Sequence, residues 1–288
     1  MTQKTYAQRF ERMLRDFRDQ YFRNYKDEKL PDAIFDKALP KYSISFCTTC
    51  MNRFFHLKKT FLNNVENNKN YPNVEFVLLN YNSQDELHDW ATKNLPPYIE
   101  RGLVNYYHTT EPKSFHASKA KNLAHKVAKG EILCNLDGDN FTGKDFAFYI
   151  NHRMQLNGID SLLQFKKAPY WGTEGRVVLA KKYFIELGGY DEALEPTGHE
   201  DHDLMDRGKA LGLRYENIQI ENFLHYLSNT TVEKAVNVSE KEVNFYDLES
   251  KNRKQSKENI EKNILKANLS GWGETPLYKN FGKETLVY

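Results

Sequence analysis

The stretch Glu131–Asn140, EILCNLDGDN, decides how the rest of the chain is read. Ile132-Leu-Cys-Asn-Leu136 is an apolar run of the kind found in a central parallel strand covered on both faces. It stops abruptly in Asp137 and Asp139, separated only by Gly138. Carboxylates that close repel unless a cation sits between them or water screens both. One reading is therefore a pair of hard oxygen ligands for Mg²⁺ or Mn²⁺ bridging a diphosphate, with glycine allowing a sharp turn and a close ligand. The other is a surface turn, or a helix N-cap ahead of Phe141-Thr-Gly-Lys144.

Upstream, strand and helix patterns alternate. Tyr42–Cys47, Val74–Leu79 and Leu103–Tyr107 read as strands, and Asn52–Val65, Asp85–Asn94 and Ser118–Ala128 as helices, the last ended by Gly130 in a left-handed cap. Such alternation predicts an α/β nucleotide-binding layer, and ligands on these sheets bind beyond the carboxyl ends of the strands, where Asp137 and Asp139 fall. Downstream the pattern is less regular. Ser161–Lys166 and Gly175–Ala180 look like strands. Lys181–Leu187 is a helix ended by Gly188-Gly189, and Asp201–Leu211 another ended by Gly212. The division expected is 1–40 as an amphipathic helical extension, 41–232 as the catalytic domain and 233–288 as a C-terminal helix and tail. Within the domain, 41–140 is the nucleotide half and 141–232 the acceptor half, and one long helix is expected over Lys241–Asn268.

Composition narrows the class. With 41 basic and 39 acidic residues the net charge is only +2, so no global field argues for a nucleic-acid partner. No apolar run reaches bilayer length, and MTQKTYAQRFERML is charged where a signal peptide would be apolar. Three cysteines are too few for a disulfide framework, which predicts a reducing, cytoplasmic setting. Residues 5–29 place Tyr6, Phe10, Met13, Leu14, Phe17 and Tyr21 at helical spacing among arginines. That helix either lies on the domain or makes a peripheral contact at the inner membrane surface.

Three further clusters can carry chemistry. Gly198-His-Glu-Asp-His-Asp203 opens a helix, where the macrodipole favours acids. Capping explains some of them, but five ionisable residues in a row exceed that need, and a carboxylate at a pocket wall can serve as general base. His225, in Asn222-Phe-Leu-His-Tyr-Leu227, can complete a carboxylate-rich metal site or act as a structural hydrogen bonder. Cys47-Thr-Thr-Cys50 fits small residues in a strand-to-loop turn better than a zinc or redox pair, since no second pair accompanies it. Tyr170 and Trp171 can stack on a sugar ring or pack in the core.

Taken in order, these residues resemble the GT-A glycosyltransferases, particularly family 2 and the related galactosyltransferase-like C-terminal module. The resemblance runs through Ile44-Ser-Phe-Cys-Thr-Thr-Cys-Met-Asn-Arg53 and Phe76-Val-Leu-Leu-Asn-Tyr-Asn-Ser-Gln-Asp85. It continues through Ala120-Lys-Asn122 to Asp139, then Gly188-Gly-Tyr-Asp-Glu192, His199-Glu-Asp201 and His225. It implies a GT-A fold, a mixed, mostly parallel sheet flanked by helices. The activity implied is transfer of a sugar from a nucleotide-sugar donor, a UDP-sugar first, to a hydroxyl of a carbohydrate or glycoconjugate, with inversion. A divalent ion, Mn²⁺ or Mg²⁺, is implied on Asp139, with Asp137 near the ribose and His225 in reach, and Asp201 beside Glu200 as the base. Thr48, Cys50, Asn52, Arg53, Asn80, Tyr81 and Lys121 fall at nucleotide positions, with Lys119 or Lys121 neutralising phosphate. Tyr170, Trp171, His199 and Asp203 fall toward the acceptor. One departure stands out: the family usually has Asp at the end of the second strand to meet uracil, and here Asn80 and Tyr81 stand there, leaving donor identity open. Two alternatives accompany this reading, a two-metal phosphohydrolase and an inactive nucleotide-binding protein of the same fold.

Overall fold

Strand β1 (Ile44–Cys50) pairs in parallel with β2 (Val74–Tyr81) on one side and with β4 (Ile132–Asn135) on the other. Strand β3 (Val104–Thr109) continues the parallel set beyond β2. The structure is a computed structural model and describes residues 39–168, 172–230, 233, 237–238, 244–282 and 285–286. Beyond β4 the sheet continues through β6 (Val177–Ala180), β5 (Ser161–Phe165) and β7 (Arg214–Ile218). At the far edge lie β8 (Leu277–Lys279) and β9 (Thr285–Leu286). The order is β7-β5-β6-β4-β1-β2-β3-β8-β9, a mixed sheet parallel at its centre. Both halves of the expected catalytic domain thus contribute to one sheet.

Because β1 to β4 run the same way, their carboxyl ends share one rim, and the chemistry-bearing loops gather there. Strand β6 runs antiparallel to β4, so its beginning adjoins β4's end, with Cys134 opposite Val178. That reversal sets Gly175 beside Asp137.

Alternation along the strands fills both faces. Phe46, Phe76 and Cys134 pack on one side with α1 (Phe54–Asn68) and α5 (Phe146–Asn157). Cys47, Val77 and Leu133 pack on the other with α4 (Ala117–Val127), α6 (Lys181–Glu186) and α7 (Glu200–Ala210). Short helices α2 (Leu87–Asn94) and α3 (Pro96–Glu100) lie between β2 and β3, and α8 (Phe245–Glu261) packs on α7. Rows of this composition, buried on both sides, explain why the central strands read as continuous apolar runs.

Several expectations shift. The Cys47–Cys50 stretch lies inside β1 rather than in a turn, and all three cysteines are buried and free. Gly130 does not close a left-handed cap: α4 ends at Ala128 in extended backbone. A Cβ on Gly130 would lie 2.6 Å from both the Ser45 nitrogen and its Oγ, so the glycine is needed for close approach. The C-terminal helix is shorter than Lys241–Asn268. Helix α5 and strands β7, β8 and β9 were not marked by any sequence period. The amphipathic helix expected over 5–29, and with it the membrane contact, lies outside the described residues. Among the described residues no helix is long and apolar enough to cross a membrane.

Candidate functional site

Asp137 and Asp139 leave the sheet just past β4, in a turn closed by the Asn140 N–H on the Asp137 carbonyl at 2.9 Å. Arg176, fully buried, holds this turn from below: its guanidinium donates to Asn140 Oδ1 (3.0 Å), to the Phe141 carbonyl (2.9 Å) and to the Phe223 carbonyl. The second acidic cluster arrives on α7. Gly198 and His199 both take positive φ (90° and 71°), which turns the chain sharply into the helix. Asn252 of α8 fixes that turn by donating to the Gly198 carbonyl at 2.6 Å. Glu200 and Asp201 thus sit in the first helical turn, as the sequence predicts, where the dipole favours negative charge.

The two clusters meet. A cavity of about 360 Å³ is bordered by Asp137, Asp139, Glu200 and Asp201 together. A Cβ placed on Gly175 would lie 2.7 Å from Asp137 Oδ2 and 2.7 Å from Asp201 Oδ2, so only a bare glycine fits between these carboxylates. Lys121, reaching in from α4, donates to Asp201 Oδ2 (2.7 Å) and Oδ1 (2.8 Å) and to Glu200 Oε1 (2.8 Å). It stands 3.9 Å from Asp137 Oδ1. Its ammonium is thus engaged by the acids of α7. On the other flank Asn229 donates to Asp139 Oδ2, Asn140 donates to Asp139 Oδ1 at 2.7 Å, and Arg53 lies 3.8 Å from the same carboxylate.

Burial opposes charge on Lys121, yet Asp201, Glu200 and Asp137 hold it protonated, well above the usual lysine range. Burial would raise Glu200 too, but the Lys121 ammonium holds it down, to about 2. Asp201 goes the other way: burial, then the neighbouring charges of Glu200 and Asp137, push it well above the usual carboxyl range against the pull of Lys121. A carboxylate made more basic by its surroundings suits proton acceptance. Burial, with Arg53 next, lowers His56 to about 4, so this imidazole at the cavity is neutral beside the Arg53 cation.

A divalent ion fits this chemistry. Six carboxyl groups (Asp137, Asp139, Glu174, Glu200, Asp201 and Glu249) and two cations, Lys121 and Arg53, line the cavity, leaving an excess of acidic groups around it. Among the described residues no three His, Cys, Asp or Glu side chains are grouped to cage an ion. Mg²⁺-like ions are commonly held by one or two carboxylates with substrate phosphates completing the shell, and Asp137 and Asp139 offer that arrangement.

Of the residues singled out from sequence, Cys50, Arg53, Lys121, Asp137, Asp139, His199, Glu200 and Asp201 border the cavity. Thr48, Asn52, Asn80, Tyr81, Asp203 and His225 are not among its walls. Asp203 is fully buried and paired with Arg207 at 2.7 Å, tying α7 to the Gly188-Gly189 turn through the Leu187 and Gly189 carbonyls. The His225 carbonyl accepts from the Phe141 N–H at 3.0 Å, and it is the next residue, Tyr226, that reaches the cavity. Tyr170 and Trp171 lie outside the described residues. Sequence reasoning missed His56, Phe115, Gly175, Asn229, Asn237, Phe245 and Glu249. Only Gly175, at the mouth of an expected strand, carried a signal that could have found it.

Comparison with known proteins gives a family-model match over part of the chain, and a fold. Residues 45–163 match the family model described as Glycosyl transferase family 2. No curated protein matches the chain in sequence. Among solved structures, the mannosyltransferase PcManGT from Pyrobaculum calidifontis, in complex with GDP-Man and Mn²⁺, aligns with a TM-score of 0.50 and 16% identity, over 75% of this chain and 64% of that one. S. aureus TarS 1-349 in complex with UDP-GlcNAc aligns at 0.55 and 14% identity, over 72% and 64%. GalNAc-T7 with UDP, GalNAc and Mn²⁺ aligns at 0.50 and 15% identity, over 65% and 45%. At these identities the likeness is one of fold. The chain spans 64% of the length of each of the first two.

Proposed function

Because the chain carries a glycosyl transferase family 2 domain in a GT-A fold, we propose that it is a metal-dependent, inverting glycosyltransferase acting on a nucleotide-diphosphate sugar. The observation that carries this reading is the convergence of Asp137, Asp139 and Asp201 on one cavity, with Asp137 and Asp201 separated by no more than Gly175. The structural neighbours that hold GDP-Man with Mn²⁺, UDP-GlcNAc, or UDP with Mn²⁺ support the donor class and the ion.

In this mechanism the donor's diphosphate lies over Asp137 and Asp139, and the acceptor hydroxyl enters beside Asp201. The hydroxyl oxygen attacks the anomeric carbon as its proton passes to the Asp201 carboxylate. The bond to the diphosphate oxygen breaks with its electron pair leaving on the nucleoside diphosphate. Attack opposite the leaving group inverts the anomeric centre. A divalent ion on Asp137 and Asp139 would supply charge neutralisation for the departing diphosphate. Lys121 keeps Asp201 oriented, and burial keeps that carboxylate basic. The acceptor, a carbohydrate or glycoconjugate, would meet His199, His202, Phe245 and Glu249 at the cavity mouth.

Calorimetric titration with Mn²⁺ and a panel of sugar nucleotides tests the donor class, and a folded protein that binds none of them removes the proposal. Asp201→Asn should bind donor as the parent does and lose at least about 100-fold in transfer rate. Turnover retained by that variant would take Asp201 out of its role.

A further inference from the structure

With a sugar nucleotide as donor, the reading on which this inference rests, the part of the cavity wall where Met51, Phe115 and Asn237 join one another would receive the nucleoside. We infer that this protein holds the base by stacking, chiefly on Phe115, and reads its hydrogen-bonding edge little, so that nucleoside diphosphates with different bases bind with similar strength.

Three observations carry this. First, the side chain expected to read the base is turned inward and committed. Asn80, only 4% exposed, accepts from the Ser83 N–H at 2.8 Å and donates to the Tyr106 hydroxyl at 2.9 Å. The same hydroxyl is hydrogen-bonded to His88 Nδ1, 2.9 Å away. Asn80 therefore starts a relay running away from the cavity. Tyr81 is 3% exposed, its ring edge-on to Phe115 at 6.0 Å, so it supports Phe115 from behind.

Second, the amides near this end are engaged with one another. Asn237 donates to the Met51 carbonyl at 3.2 Å, its Oδ1 accepts from Asn52 at 3.2 Å, and its carbonyl accepts from the Phe115 N–H at 2.6 Å. Asn52 Oδ1 accepts from the Gln84 N–H at 2.7 Å. This lattice fixes Phe115 as a rigid wall.

Third, the remaining surface is flat or soft. Phe115 is half-buried, and Met51 beside it adds a polarisable thioether. Every base has a π-face, so stacking is tolerant of base identity. Discrimination of 10⁴-fold or more needs buried polar groups matched to one partner.

The test is calorimetry on the full chain with Mn²⁺ and UDP, CDP, TDP and GDP, with inorganic pyrophosphate as the base-free control. The expected result is dissociation constants for the four nucleotides within about tenfold of one another. Phe115→Ala should weaken all four in common, by about 10-fold or more, and leave pyrophosphate unchanged. Phe115→Trp, which restores a stacking face, should recover the loss and guards against a folding artefact. One nucleotide favoured by more than about 100-fold, or Phe115→Ala binding all four as the parent does, overturns the inference while the donor reading stands. Silence from every nucleotide and from pyrophosphate overturns the donor reading and this inference with it.

Discussion

Lys121 shows how much a single side chain organises here. Its ammonium lies within 2.8 Å of Glu200 and Asp201 oxygens on another helix, 79 and 80 residues along the chain. Replacing it by methionine keeps the stem's volume but leaves two buried carboxylates without that cation, a loss of about 3–5 kcal/mol. Urea unfolding of Lys121→Met should show a correspondingly lower midpoint, and Lys121→Arg, which keeps the charge, a smaller drop. The sequence made this lysine legible as a cation ahead of the acidic strand. It did not reveal its target, because the carboxylates it serves come from a distant helix start. Asp203 was misjudged for a related reason: His199 to Asp203 read as one cluster, but the helical turn points Asp201 to the cavity and Asp203 to Arg207.

At the scale of elements, the central strands were readable as continuous apolar runs and their helices by one strong period, each ended by a breaker. Strand β7, Arg-Tyr-Glu-Asn-Ile, was not: it is half-exposed and mixed in polarity, so neither period emerges. The two- and three-residue edge strands are too short for any period, and only their pairing partners define them. Packing of the α4–β4 connection hangs on Gly130. Gly130→Ala drives a methyl against Ser45 on β1, where backbone cannot retreat, and should cost about 1–3 kcal/mol by chemical denaturation. A variant as stable as the parent would mean that the connection shifts freely.

For the whole molecule, acid should be destabilising through its buried imidazoles. Burial lowers His125 to about 3, and lowers His56 and His116 to about 4. His125 donates from Nδ1 to the Lys121 carbonyl at 2.7 Å and stacks on Phe184, an environment with no room for a second proton's hydration. The folded protein therefore binds fewer protons than the unfolded chain below the ordinary histidine value of 6.5. By linkage, the stability these residues contribute is intact above that value and drains away as pH falls toward 4 and then 3. Urea midpoints should fall steadily from pH 7 to pH 4.5, and a midpoint that climbs on acidification counts against this account. None of this was visible in sequence, where a histidine's depth is not written.

The far end of the chain has a duty unrelated to chemistry. Leu277–Lys279 lies along the outer side of β3, and Asn280 completes the seam with its amide on the Tyr106 carbonyl at 2.8 Å and its side chain on the Tyr106 N–H at 2.9 Å. Cut the protein ahead of Leu277 and that seam becomes a bare row of amides and carbonyls beside Tyr106 and Tyr107, a template for any passing strand. Shortened chains should then stick to one another and sediment as larger species than the parent, making residues 277–280 a guard against self-association.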